Sequence, residues 1–331
     1  MFAAPLLSGI LFALAAGLMW GLVFVGPLLL PEYPATLQSF GRYLAFGLIA
    51  LPLAWFDRAK LKGLRRADWI EALKLALVGN IVYYLLLASA IQRAGGPLPT
   101  MIIGTLPVVI AITSNLRRAA PGARVETPLA WSSLLPSLLL IGLGIACVNQ
   151  VELEHLQRDP NADLSRYALG ALLAAGAVAC WTWYPIRNAE WLRAHPDRSP
   201  RGWATAQGIA TLPLALIGYA LTWAWFAASG SPFAMPFGPR AGEFLLLMFA
   251  IGLFASWLGT LCWNEASQRL PPTLSGQLIV FETLAALSYA FMLRKSMPQV
   301  QTLIGVALLI AGVVWAVRSR PSAEGAEAHP N

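Results

Sequence analysis

One acidic residue interrupts the long apolar segment "GQLIVFETLAALSYAFMLRK", which runs from Gly276 to Lys295. The residue is Glu282, and at roughly 1.5 Å per residue it would lie near the middle of a helix that crosses a bilayer core of about 30 Å. A carboxylate at that depth is costly and usually faces a cavity or a partner. It could couple transport to protons or contact a substrate ammonium, or it could be a neutral or paired group with a packing role. We favour the functional interpretations.

Two further segments place polar groups at a similar depth. Arg42 is the obvious possible partner of the acid, although its long stem would also let it snorkel to the interface, which is the interpretation we favour. In "VGNIVYYLLLASA", Asn80 falls near the midplane, with Tyr83 beside it and Tyr84 on the same helix face. An amide and phenols could hold the carboxylate or ammonium of an amino acid. Hydrogen bonding between helices is an equally open role for them.

Tryptophan is abundant, with 13 residues, and its positions suggest two roles. Trp20 and Trp181 occupy matched positions in two similar segments and could wall a central pocket that suits apolar side chains or cations. Ordinary packing is the open alternative for both. Others lie near segment ends and are expected to form interface belts. These are Trp69, Trp131, Trp191, Trp203, Trp223 and Trp225.

The remaining candidates lie at other levels of the predicted helices. The motif "LCWNEASQ" places Trp263 and Asn264 toward one end of a helix, where Gln277 enters the next helix, so the three could form an inner mouth. Met101, in the predicted helix over 96–116, contributes to a face of small polar and flexible side chains. The full set of candidate substrate-binding residues is Trp20, Asn80, Tyr83, Tyr84, Met101, Trp181, Tyr184, Trp257, Trp263, Asn264, Gln277 and Glu282.

Composition identifies the elements that would carry these residues. Hydrophobic residues make up 57% of the 331 and charged residues only 12%, so the chain is predicted to be an all-α integral membrane protein. Apolar stretches of about 20 residues predict ten transmembrane helices. They cover roughly 5–30, 34–56, 68–92, 96–116, 128–148, 167–190, 202–227, 242–267, 272–293 and 297–317. The longest predicted loops are 149–166 and 228–241.

The distribution of basic residues predicts the orientation. With the N-terminus inside, the cytoplasmic connections hold fifteen of the 23 Lys and Arg residues and the outer ones hold six. Both termini are therefore predicted to be cytoplasmic. The same distribution explains the net charge of +7 without nucleic acid, because the basic residues form short clusters between apolar runs.

The two halves of the chain resemble each other. "GILFALAAGLMW" and "GALLAAGAVACW" share their Gly-to-Trp spacing, and "LLIGLG" is matched by "LLIAGV" at a similar offset. We therefore predict a 5+5 inverted repeat, with one unit over residues 1–150, a second over 151–318 and a disordered cytoplasmic tail over 319–331. Transporters of this architecture bind substrate near the midplane between their halves.

Several classes of function are excluded or disfavoured by what the sequence lacks. The three histidines lie in predicted loops or the tail, and the three cysteines show no paired spacing, so no metal, cofactor or disulfide is expected. No cluster of His, Asp or Ser supports an enzyme, and no Gly-rich Lys motif supports ATP-driven pumping. The absence of a regular polar stripe disfavours an ion channel.

The chain resembles a known family. Its 5+5 arrangement, "MWGLVFV", "TLPVVIAI" and "QTLIGVALLIAGVVWAV" resemble EamA-type proteins of the drug/metabolite transporter superfamily. "FASWLGTLCWNEASQRLPP" and "ACWTWYPIRNAEW" are most similar to the YddG-type aromatic amino acid exporters. The resemblance implies a midplane cavity among helices 1, 3, 4, 6, 8 and 9, and alternating access.

The expected function follows from these observations and from the resemblance. The protein is expected to be a multi-pass protein of the bacterial inner membrane that exports small amphipathic solutes, most of all amino acids, including aromatic ones. A proton-coupled exporter of cationic drugs that uses Glu282 is the alternative. The expected partners are the small-molecule substrate and the lipid bilayer. The oligomeric state stays open, and a monomer is compatible with the sequence.

Overall fold

The structure is a computed structural model that describes residues 3–106, 108–110, 112–113, 131–158, 163–270, 278–295 and 297–318. All regular structure in these ranges is helical. Besides a four-residue helix, Arg58–Leu61, the described helices are α1 (Leu6–Leu29), α2 (Ala35–Phe56), α3 (Arg66–Ala94), α4 (Pro97–Ile103), α5 (Trp131–Arg158), α6 (Leu164–Ala194), α7 (Pro200–Ser229), α8 (Ala241–Arg269), α9 (Val280–Arg294) and α10 (Val300–Arg318).

Six of these helices are long and apolar enough to cross a membrane, namely α1, α2, α3, α6, α7 and α8. Each matches a predicted segment to within a few residues. In α4, α5, α9 and α10 the described apolar stretches are shorter. The described part of the chain therefore confirms an all-helical membrane protein with six clear spanning candidates.

One predicted boundary is wrong. The sequence suggested that the fifth helix ends at 148 and that a loop occupies 149–166, but α5 continues to Arg158. The segment "VELEHLQR" is too polar to lie in a bilayer, which is why an apolar criterion ended the helix early. Glu, Leu, Gln and Arg are nevertheless good helix formers, so the helix continues beyond its apolar part.

The helices pack in recurring pairs. The α2 helix packs along α7, and α5 packs along α10. Further contacts join α3 to α6 and α1 to α8, α1 to α9 and α6 to α4, and α2 to α8 and α7 to α3. If each of the first five helices is exchanged with the helix five places later, so that α1 becomes α6 and α6 becomes α1, each of these contacts becomes itself or another contact in the set.

Two helices contain a wide turn in their interior. The π-helical stretches are Ala76–Val82 in α3 and Gly252–Leu258 in α8, each seven residues long. Such stretches shift the helix face by a fraction of a turn and recur at functional sites. Both carry residues to the centre of the molecule, where the candidate site lies.

Candidate functional site

A small buried cavity lies at the centre of the helices. Its walls come from α1, α2, α3, α6, α8 and α9, and its water-accessible volume is about 10 Å³. That is room for about one water molecule. The lining residues are Trp20, Val23, Arg42, Tyr43, Gly79, Asn80, Tyr83, Trp181, Ala255, Ser256, Thr260 and Glu282.

Five of the sequence-predicted residues line this cavity together, namely Trp20, Asn80, Tyr83, Trp181 and Glu282. They come from four helices that are far apart in the chain. The described part of α4 contributes nothing to the lining, whereas α2, which the resemblance did not place there, contributes two residues.

Aromatic rings form one wall of the cavity. The ring centroids of Trp20 and Trp181 are 5.1 Å apart in an edge-to-face arrangement. Tyr83 stacks on Trp181 at 4.8 Å, and Tyr184 also stacks on Trp181 at 4.8 Å. Trp263 packs on Trp20 at 5.1 Å. Trp263 and Tyr184 therefore support the lining tryptophans from behind without lining the cavity themselves.

Glu282 is buried beside this wall, with 1% of its surface exposed. Neither of its carboxylate oxygens makes a hydrogen bond of standard geometry with a described residue, although the side chain of Trp181 lies close enough to interact with the carboxyl group. Gly17 of α1 brings the two helices together at this point, since a Cβ there would lie 3.1 Å from the Glu282 backbone nitrogen. The first turns of α9 are thus packed tightly against α1, while the acidic group faces the cavity.

Arg42 is buried as well, which corrects the expectation that it would snorkel to the interface. Its exposed fraction is 4%, and its Nε donates to Ser256 Oγ at 2.9 Å. Its guanidinium carbon lies over the rings of Tyr43, at 4.8 Å, and Tyr84, at 4.5 Å. The hydrogen bond and the two cation–π contacts offset the loss of hydration, so the side chain stays inside the protein.

The guanidinium of Arg42 and the carboxyl group of Glu282 do not hydrogen-bond to each other. One Arg42 nitrogen, Nη1, is buried without a partner, as are both Glu282 oxygens. The two side chains line the same cavity. Charged groups left in this state favour a third group between them.

Asn80 and Tyr84 make bonds that hold helices together. Asn80 Nδ2 donates to Thr211 Oγ1 at 3.2 Å, and Tyr84 OH donates to the carbonyl oxygen of Val23 at 3.1 Å. That carbonyl is free because Pro27, four residues later, has no N–H to donate to it. Tyr84 therefore satisfies an open carbonyl of α1, and it reaches the site through the guanidinium of Arg42 and through an edge-to-face contact with the ring of Tyr43.

A hydrogen-bonded network lies behind Tyr184, and sequence reasoning missed its centre. Tyr184 OH donates to Gln207 Oε1 at 2.8 Å, and Gln207 Nε2 donates to Asn188 Oδ1 at 3.0 Å. Asn188 Nδ2 donates to Asn264 Oδ1 at 2.8 Å, and Trp203 Nε1 donates to Asn188 Oδ1 at 2.8 Å. The predicted residue Asn264 thus belongs to this network and does not line the cavity.

Two tryptophans of the predicted interface belts belong to the interior instead. Trp191 and Trp203 have exposed fractions of 7% and 1%, and their rings stack with centroids 3.5 Å apart. The indole N–H of Trp191 donates to Asp68 Oδ1 at 3.0 Å, while that of Trp203 belongs to the network. Proximity to a helix end suggested a belt, but buried acceptors for both N–H groups hold the rings inside.

Three remaining candidates lie elsewhere. Trp257 donates from Nε1 to Thr205 Oγ1 at 3.3 Å and borders an apolar groove between α2 and α8. Met101 packs in a separate apolar cluster with Val108 and Leu309. Gln277 lies outside the described residues.

Tyr33 lies at the ends of the helices opposite to the Asn188 network, where its contacts join the loop after α1 to the segment before α8. Its OH donates to the Phe237 carbonyl oxygen at 2.9 Å and accepts from the Arg240 backbone N–H at 2.8 Å. Its ring stacks on Phe244 at 4.9 Å. Burial raises the pKa of this phenol, and the bond from Arg240 partly offsets that effect. Tyr33 therefore stays protonated and keeps its bond to Phe237.

Comparison with known proteins agrees with a helical membrane fold. The profile of the EamA-like transporter family matches residues 7–150. Inner membrane protein YtfF of Escherichia coli (strain K12) is 55% identical over 316 residues, which cover 96% of this chain and 97% of YtfF. A solved crystal structure that is 18% identical covers 93% of this chain and 97% of its own, with a TM-score of 0.64, and shows the likeness of the fold. The chain therefore belongs to the EamA-like transporter family and is a multi-pass protein of the inner membrane.

Proposed function

We propose that this protein is a secondary transporter that exports small amphipathic solutes, most of all amino acids, including aromatic ones, by alternating access. The observation that carries the proposal is the central cavity, which is lined by aromatic side chains from α1 and α6 together with a buried arginine and a buried glutamate. Such a site offers an apolar wall to a side chain and polar anchors to its charged end. Its position in the interior of the helix bundle fits a midplane binding site.

The scaffold of the proposal is a ten-helix inverted repeat with both termini in the cytoplasm. The exchange relation among the helix contacts supports it, because α2–α7 and α5–α10 each map onto themselves. The interior π-helical stretches of α3 and α8 support it too, since these helices occupy equivalent places in the two units. The family profile ends at residue 150, where the first predicted unit ends.

In this conformation the cavity is too small for an amino acid, so transport requires the bundle to open. The network centred on Asn188 would close the predicted cytoplasmic side. The contacts of Tyr33 would close the other side. Alternating access then means that one of these two sets of contacts breaks while the other holds.

The test is a counterflow assay in proteoliposomes. Vesicles loaded with one unlabelled amino acid are offered a panel of radiolabelled amino acids and, in parallel, cationic dyes. Saturable exchange of amino acids is expected, with dyes exchanged poorly, and empty vesicles provide the control. Exchange of dyes without exchange of any amino acid would contradict the proposed substrate class.

The alternative, a proton-coupled exporter of cationic drugs, is favoured by one observation. Glu282 is buried, and no described residue makes a hydrogen bond of standard geometry to its carboxylate oxygens, as is possible for a group that takes up and releases a proton. Glu282→Gln under an imposed pH gradient tests this role. Unchanged uptake with unchanged pH dependence would exclude coupling through Glu282.

A further inference from the structure

We propose that the cavity binds a zwitterion, with Arg42 holding its anionic group and Glu282 its cationic group. The inference rests on the proposed transport function and adds the polarity of the bound solute to it. Arg42 was expected from the sequence to leave the interior, so this role comes from its position in the structure.

The anionic half of the site is prepared by three neighbours of Arg42. Ser256 fixes Nε, and the rings of Tyr43 and Tyr84 lie against the guanidinium. Nη1 is left buried without a partner. A guanidinium held in one orientation with an available Nη1 suits a carboxylate, which it can bind through a charge-assisted hydrogen bond.

The cationic half of the site is Glu282 with the aromatic wall beside it. No described residue makes a hydrogen bond of standard geometry to either carboxylate oxygen, and the ammonium group of a solute supplies three donors. Trp20 lines the same cavity, and indole faces attract cations. Trp181 lines it as well, with Tyr83 and Tyr184 stacked on its ring. The wall can therefore hold the ammonium group and pack against an apolar side chain.

A direct ion pair between the two residues would remove the need for a ligand, but the structure shows none. Arg42 donates one hydrogen bond to Ser256 and none to Glu282. A zwitterion satisfies both residues at once. A solute with only one charge satisfies one and leaves the other buried and unpaired, which is strongly unfavourable.

The test compares three solutes that share one side chain: phenylalanine, phenethylamine and 3-phenylpropanoate. Wild-type protein is expected to prefer phenylalanine over both analogues by at least about tenfold in counterflow competition, since an unpaired buried group costs that much or more. Arg42→Gln should lose the preference over the amine but keep it over the acid. Glu282→Gln should lose the preference over the acid but keep it over the amine.

Ligand-induced thermal stabilisation in detergent, with the same three solutes, gives a readout that does not need transport. Lys74→Gln and Glu243→Gln are the control variants, because both side chains are more than half exposed and lie outside the cavity. Both should keep the wild-type preference. If Arg42→Gln does not fold, Ser256→Ala removes only the bond that orients the guanidinium and should weaken phenylalanine binding several-fold.

The outcomes separate this inference from the proposed function. Wild-type selectivity in both Arg42→Gln and Glu282→Gln, with amino acid exchange intact, would overturn the zwitterion site and leave the proposed function standing. Failure of the wild type to exchange any amino acid would overturn both. The site would be supported if Arg42→Gln lost only the preference over phenethylamine and Glu282→Gln lost only the preference over 3-phenylpropanoate.

Discussion

The closest approach in the wall of the cavity gives a sharp prediction for Gly79→Ala. Gly79 lies in the π-helical stretch of α3, and a Cβ there would lie 2.1 Å from Cδ2 and 2.6 Å from Cγ of Tyr184. The ring cannot move easily, because it stacks on Trp181 and its OH is bonded to Gln207. The extra methyl group must therefore displace Tyr184 and disturb the cavity wall.

The size of the effect follows from opposing contributions. Overpacking costs about 1–3 kcal/mol, and loss of the Tyr184–Gln207 hydrogen bond would add about 1 kcal/mol. Alanine in a helix recovers up to about 1 kcal/mol relative to glycine. The net expectation is a destabilisation of about 1–3 kcal/mol, seen as a lower melting temperature in detergent, together with weaker solute exchange.

Gly142→Ala is the matched control, because a Cβ at Gly142 would meet nothing within 4 Å. This variant should melt at or slightly above the wild-type temperature and exchange solute normally. A Gly79→Ala protein that matches the wild type in both assays would refute the tight packing of α3 against Tyr184.

Three further variants test the neighbouring contacts. Asn188→Leu removes three hydrogen bonds and leaves their partners buried, so it should destabilise the protein by about 3 kcal/mol or more in a thermal melt; an unchanged melt would contradict the network. Trp20→Ala and Trp181→Ala should each weaken solute binding at least several-fold, whereas Trp225→Ala, at an exposed position, should not. Wild-type affinity in both of the first two variants would show that these tryptophans serve packing alone. Tyr84→Phe loses the bond to α1 and should lower stability by about 1 kcal/mol with solute preference retained.

The sequence predicted the six confirmed spanning helices well, because the length and apolar composition of each depend only on local sequence. Glu282 and the pair Trp20 and Trp181 could be selected because a charge in hydrocarbon and a matched repeat position are visible without coordinates. The extension of α5 to Arg158 was missed because that part of the helix is polar.

Other features could not be predicted, since they depend on which face of each helix meets a partner. The burial of Arg42 requires Ser256 and two tyrosine rings that are distant in the chain. The centre of the hydrogen-bonded network, Asn188, is one polar residue among several in α6, and nothing in its local sequence distinguishes it. The π-helical stretches also leave no mark in the apolar pattern.

The placement of the two charges leads to a prediction about kinetics. Arg42 belongs to the first proposed unit and Glu282 to the second, so movement of one unit against the other changes the distance between the charges. In the closed conformation without solute, both residues keep buried atoms without partners. A zwitterion pairs with both when the cavity closes around it, so the loaded protein avoids this cost in the closed conformation through which every transport cycle must pass.

The loaded protein should therefore cross the closed conformation faster than the empty protein. Exchange of labelled for unlabelled phenylalanine is expected to exceed net efflux from the same vesicles, and Glu282→Gln should narrow the difference because it removes one unpaired charge. Rapid-filtration measurements of both fluxes at one pH and without a membrane potential make the comparison. Equal rates of exchange and net efflux in the wild type would show that the unpaired charges do not limit return of the empty carrier, and the energetic argument for their placement would then fail.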